Sequence, residues 1–141
     1  MACPLLRIRS FSGWTMFVFG ALAFLLGAIG LIVPEFLLQV LGFEVLPRSA
    51  RVAGDYTLVF ITTSSMASFN MGIYYVLAAL NDLRKFYVWT VPFRLVTFSV
   101  FTLAVLNGLA PTRFLGVAIW EGLGALITGL ALWYEARAQK E

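Results

Sequence analysis

Four long apolar runs constrain this chain more than any other feature, at about residues 14–33, 56–80, 86–109 and 114–133. Each is about 20–25 residues, or about 30–37 Å as α-helix, enough to cross a hydrocarbon core with some tilt. No water is available there to satisfy a backbone amide, so helix is the only sensible form for runs of this length. The composition agrees, with 61% of the 141 residues hydrophobic and 12% charged and a mean hydropathy of +0.91. A soluble domain carries about 25% charged residues.

The expected fold is all-α, an integral-membrane four-helix up-down bundle forming one domain over residues 1–141. Two connections are tight, "NDLRK" and "APTR", and short links make neighbouring helices antiparallel. The long connection, residues 34–54, contains "EFLLQVLGF". It reads as a short interfacial helix stopped at Gly42, with a plain loop on the headgroups as the alternative. The basic start "MACPLLRIRSFSGW" precedes an apolar run too long for a secretory signal, and "LIVPEF" lacks a small-x-small cleavage pattern, so the first helix is expected to be retained. Glycines crowd the first and fourth runs, and small residues of this kind let membrane helices pack closely.

The net charge of +3 does not indicate nucleic acid, because the basic residues sit at the ends of the runs. Arg7, Arg9, Arg84, Lys85, Arg137 and Lys140 fall on one side of a four-span layout, and Arg48, Arg51 and Arg113 on the other. That bias predicts cytosolic termini, in an endoplasmic-reticulum or bacterial inner membrane. Cys3 is the only cysteine and there is no histidine. An internal disulfide, a Cys/His zinc site, His-ligated haem and a Ser-His-Asp triad are excluded. No metal or cofactor is expected. Cys3 is read as a free thiol, with palmitoylation as the alternative.

Any chemistry must come from carboxylates, Arg, Asn, Tyr or hydroxyls. Glu121 lies about 10 Å into the fourth run and Arg94 about 12 Å into the third, from opposite sides, leaving an axial gap of roughly 8 Å. Insertion scales assign about 2.5–3.5 kcal/mol to an Arg or Asp at mid-membrane. Both groups are therefore expected to face inward and find partners or water. Glu35, Asp55 and Asn107 fall in the same non-cytosolic half as Glu121. Pro92 is expected to kink the third helix and free the Val88 carbonyl, while Thr90 and Thr97 flank Arg94. Thr63, Ala67, Asn70 and Tyr74 share one face of the second helix. Its hydroxyls are expected to bond their own helix, and Asn70 to reach across helices.

Two accounts fit these residues. In one, Arg94 and Glu121 form a structural ion pair. In the other they line a polar cavity, since the polar groups outnumber what one Arg needs. Asp55 also has Arg51 at i,i+4, and Glu35 also reads as a solvated helix end. Two carboxyls near an Arg make an acid–base site, burial favouring the protonated form of one and the Arg the ionised form of the other. Glu121 is assigned as general acid, Asp55 or Glu35 as base and Arg94 as electrostatic partner. Asn107, Asn70, Tyr74 and Trp120 are assigned to a lipophilic small-molecule substrate. Entry from the lipid is expected among Phe60, Phe69, Phe98, Phe101 and Trp120, each of which also has an ordinary packing role.

The Arg-bearing third helix "VPFRLVTFSVF" and the fourth, "WEGLGALITGLAL", resemble a group of small four-helix membrane proteins of bacteria and fungi. In general form the chain is similar to the small integral-membrane epoxide hydrolases and cyclases of fungal polyketide pathways. That resemblance implies acid–base opening of a polyene-derived epoxide, with a flavin monooxygenase as the partner that makes the epoxide. The competing expectations are a non-catalytic scaffold or complex subunit, and a small proton-coupled transporter, which four spans would support only as a homo-oligomer.

Overall fold

The computed structural model describes residues 7–139; Cys3 and Lys140 lie outside them. Among the described residues the chain is all-helical. Four long helices, α1 (Phe11–Ile32), α3 (Thr57–Leu80), α4 (Arg84–Leu106) and α5 (Leu115–Ala138), are joined by a short α2 (Pro34–Val40) and two single 3-10 turns, Arg48–Ala50 and Thr112–Phe114. The boundaries follow local chemistry. Ser10 caps α1 by accepting from the Gly13 amide at 3.0 Å, one of the four donors a helix start leaves open. Pro34 ends α1 and opens α2 as its first residue, where a missing N–H costs nothing. Gly42, at φ +86°, closes the expected short helix. Asp82 takes φ +51° in the turn between α3 and α4, a conformation Asp tolerates better than most residues.

Three helices are long and apolar enough to cross a membrane: Phe11–Ile32, Arg84–Leu106 and Thr112–Ala138. The expected fourth, α3, has the length at 24 residues, but its "TTSSMASFN" segment dilutes it below that level. α4 runs unbroken through Pro92.

The long helices alternate in direction and pack as two pairs, α1 with α3 and α4 with α5. In the first pair the backbones nearly touch. A Cβ on Gly20 would lie 2.7 Å from the Tyr75 Cβ, and one on Gly27 would lie 2.7 Å from the Phe69 Cα. Ser68 donates across this seam to the Ala23 carbonyl at 2.9 Å. In the second pair α5 supplies the room and α4 the bulk, with Phe98 over Gly122 and Val91 against Gly129. The expected Gly-mediated packing of the first and last helices is therefore present, with Gly72 of α3 as an additional contributor.

The named contacts between the two pairs concentrate at the end carrying the 81–83 turn and the described termini. There, Met16, Phe19, Tyr75, Ala78, Ala79 and Tyr87 form the buried core. Glu135 accepts from both the Ser12 amide and hydroxyl at 2.8 Å and from Arg84 at 2.6 Å. Thr15 meets Thr128 at 3.0 Å, and Tyr87 donates to the Ala78 carbonyl at 3.0 Å. The opposite end is joined by Phe114, which packs on Phe43 and Phe101.

Candidate functional site

The inward face of α4 carries Tyr87, Thr90 and Arg94, its three buried residues, spaced at i, i+3 and i+7 as one helix face requires. On α5 a stripe of small residues, Ala118, Gly122, Ala125, Thr128 and Ala131, is buried, and Glu121 stands at its edge. Arg94 Nε donates to Glu121 Oε2 at 3.3 Å, with the Arg94 side chain 3% exposed and the Glu121 side chain 18%. The guanidinium carbon lies 3.4 Å from the centre of the Phe19 ring on α1, a cation–π contact. Phe19 in turn stacks on Trp120 at 5.2 Å and 12° and tilts against Tyr75 at 5.4 Å.

Gly124 completes the enclosure, because a Cβ there would fall on Arg94 Nη2. Arg94 Nη1 and Nη2 are both buried and have no hydrogen-bond partner among the described residues. Leaving such donors unfilled costs more than an ordinary hydrogen bond gains. The arrangement is a point of fixed positive charge with open donors, one carboxylate beside it and aromatic walls. The two unpartnered N–H groups are donors suited to an acceptor oxygen and Glu121 is a group able to exchange a proton, but the cavity seen among the described residues lies elsewhere, between Phe11, Leu130, Ala131, Trp133 and Tyr134.

Of the residues assigned from the sequence, the structure brings Arg94, Glu121 and Trp120 together. It does not bring Glu35 or Asp55 to them, and the expected second carboxyl of an acid–base pair is not assembled. Glu35 accepts from Arg48 Nε at 2.6 Å, and that bond, followed by Glu35's own backbone N–H, holds its carboxyl below the usual range. Asp55 accepts from the Thr57 hydroxyl at 2.6 Å, the Thr57 amide at 2.9 Å and Arg51 at 2.8 Å. The Thr57 hydroxyl is the largest influence lowering its pKa. The charged neighbours of these two carboxylates are Arg48 and Arg51, not Arg94. Shared depth placed all three carboxyls at one level, but depth is one coordinate of three.

The other assignments also separate. Asn107 is exposed at the end of α4, and Tyr74 is 55% exposed. Asn70 makes no side-chain hydrogen bond among the described residues, so its expected reach across helices is not made within the chain. Thr90 donates to the Tyr87 carbonyl and Thr97 to the Phe93 carbonyl, and neither hydroxyl accepts from Arg94, whose Nη1 and Nη2 have no partner among the described residues. Of the five entry aromatics only Trp120 borders the site. Phe69 packs on Phe24 and Phe101 on Phe114, Phe98 covers Gly122, and Phe60 is exposed.

Sequence reasoning missed Phe19, Tyr75, Gly124 and Glu135. For Glu135 a signal was available: Glu121, Thr128 and Glu135 recur every seven residues and make one polar stripe down α5, each with a partner on another helix. No comparable pattern marks Phe19, one of 13 phenylalanines. No family model, curated protein or solved structure matches the chain, so its own residues carry the functional reading.

Proposed function

We propose that the protein is an integral-membrane four-helix up-down enzyme with cytosolic termini, acting by acid–base chemistry on a lipophilic small molecule. Epoxide cyclisation or hydrolysis is the preferred reaction, and a flavin monooxygenase of the same pathway is the natural supplier of the epoxide. The observation that carries this reading is the buried Arg94 guanidinium, whose Nη1 and Nη2 lack partners beside a carboxylate at 3.3 Å. α3 belongs among the spans because it runs antiparallel to α1 and is as long as its neighbours. The basic residues at the chain ends support the orientation.

With Glu35 and Asp55 paired elsewhere, Glu121 serves in both directions rather than as a dedicated acid. Its carboxylate takes the proton of a substrate hydroxyl, and that oxygen attacks one epoxide carbon. The carbon–oxygen bond on the far side breaks, and the released oxyanion is held by the Arg94 N–H groups. It then recovers the proton from Glu121. The net change is an isomerisation, for which one carboxyl suffices; with water as the attacking oxygen the same steps give a diol. Arg94 stays charged throughout and acts as an oxyanion holder.

A second reading has its own support. The pair is nearly enclosed and the guanidinium already lies on Phe19, as in a structural clasp of a scaffold protein. A long-chain epoxy alcohol offered to protein in nanodiscs separates the two. Glu121→Gln is expected to stay folded and lose about 10²–10⁴-fold in turnover. Undiminished turnover in that variant rejects the catalytic assignment, and no turnover by the unmodified protein favours the clasp.

A further inference from the structure

The outward side of α3 exposes apolar residues as its neighbours do, Val59, Met66 and Leu77 among them, but it adds an unpartnered carboxamide. α4 and α5 present Phe93, Val96, Leu103, Leu123 and Leu126, all exposed and all suited to acyl chains. α3 binds α1 through Ser65, Ser68 and Gly72. At 3.6 residues per turn its opposite side carries Thr63, Ala67, Asn70 and Tyr74, of which Asn70 is half-buried and the rest exposed. Thr63 satisfies its hydroxyl on the Phe60 carbonyl. Asn70, near the middle of the 24-residue helix, has no such outlet: its carboxamide makes no hydrogen bond among the described residues. A carboxamide left facing hydrocarbon costs several kcal/mol in unmade hydrogen bonds.

We infer that this face of α3 is a contact between two copies of the chain, related by a two-fold axis that brings the two Asn70 side chains together. This rests on the membrane placement proposed above. A second copy fits better than an unlike partner because a carboxamide both donates and accepts, so each Asn70 satisfies the other across the axis. Ala67, three residues away on the same face, has a side chain small enough for the helices to approach closely. Covering the face also suits a helix of spanning length that is not among the three apolar enough to cross a membrane by themselves.

The test uses the full chain with Cys3→Ser, which removes the only native cysteine, in isolated membranes. Ala67→Cys is expected to cross-link to a covalent dimer on mild oxidation, and Phe93→Cys, exposed on α4, is not. By single-molecule photobleaching in liposomes, Asn70→Leu should weaken association roughly 3- to 30-fold, as measured interhelical polar contacts imply, and Asn70→Gln should recover part of it. Equal cross-linking at positions 67 and 93, no dimer at position 67, or unchanged association in Asn70→Leu overturns the interface. Recovery of the chain in an alkaline-washed soluble fraction overturns the membrane placement, and the interface with it. An inserted but monomeric protein overturns the interface alone.

Discussion

At the scale of single residues, the polar groups fall into those that close on a local partner and those that need the whole fold. Asp55 belongs to the first class. Thr57 and Arg51 lower its folded pKa below the ordinary 3.8, so the stabilisation it gives is present above that value and disappears as pH falls through the folded pKa. The protection of the Thr57 amide and the next turn of α3, taken relative to the intrinsic exchange rate at each pH, is expected to fall on going from neutral pH to below 3.8, and Asp55→Asn should remove that pH dependence. Arg94 belongs to the second class. Removing one partner of a buried pair costs about 3–5 kcal/mol, whereas removing both charges together is often neutral. Arg94→Leu should therefore lower unfolding stability by about that amount, and Arg94→Leu with Glu121→Leu should restore most of it. Gly124 has its own signature. Gly124→Ala meets the whole guanidinium of Arg94, which is buried between Phe19 and Glu121, so stability should fall by about 1–3 kcal/mol, the cost of overpacking, and turnover about 100-fold, the effect of misplacing a reacting group by about 1 Å.

At the scale of elements, glycine positions differ sharply in what they tolerate. Gly27 lies on the backbone of Phe69, whereas Gly116 has nothing within 4 Å. Gly27→Ala is expected to part α1 from α3 at a cost of about 1–3 kcal/mol. Gly116→Ala, in an uncrowded turn of α5, is expected to stabilise by about 0.5–1 kcal/mol. Thermal unfolding of both variants in one detergent gives the comparison directly. The helices themselves were legible in the sequence, because apolar runs bounded by Pro34, Gly42, "NDLRK" and "APTR" leave few alternatives. Run length alone does not settle whether α3 spans: it has the length, but Thr62, Thr63, Ser64, Ser65, Ser68 and Asn70 keep it out of the three helices apolar enough to cross a membrane. The interhelical partner of each glycine was also hidden, because glycine marks close approach without saying to what.

At the scale of the whole molecule, Glu135 ties the two helix pairs together. It closes the start of α1 and binds Arg84 at the start of α4. Charge-assisted hydrogen bonds of this kind contribute about 1.5–3 kcal/mol each. Glu135→Ala should therefore loosen the junction, seen as faster amide exchange over the first turn of α1 while the α1–α3 seam around Gly27 stays protected. The sequence by itself determined that this chain is helical, with breaks at Pro34, "NDLRK" and "APTR", and that Arg94 and Glu121 face inward, since long apolar runs must satisfy their own backbone groups and a charge exposed among them is costly. Only the tertiary structure decided which carboxylates meet. Glu121 reaches Arg94, while Glu35 and Asp55 turn to Arg48 and Arg51. Periodicity and depth fix a residue's height and its helix face, but the azimuth of one helix about another is set by how side chains such as Phe19, Gly124 and Phe98 interlock.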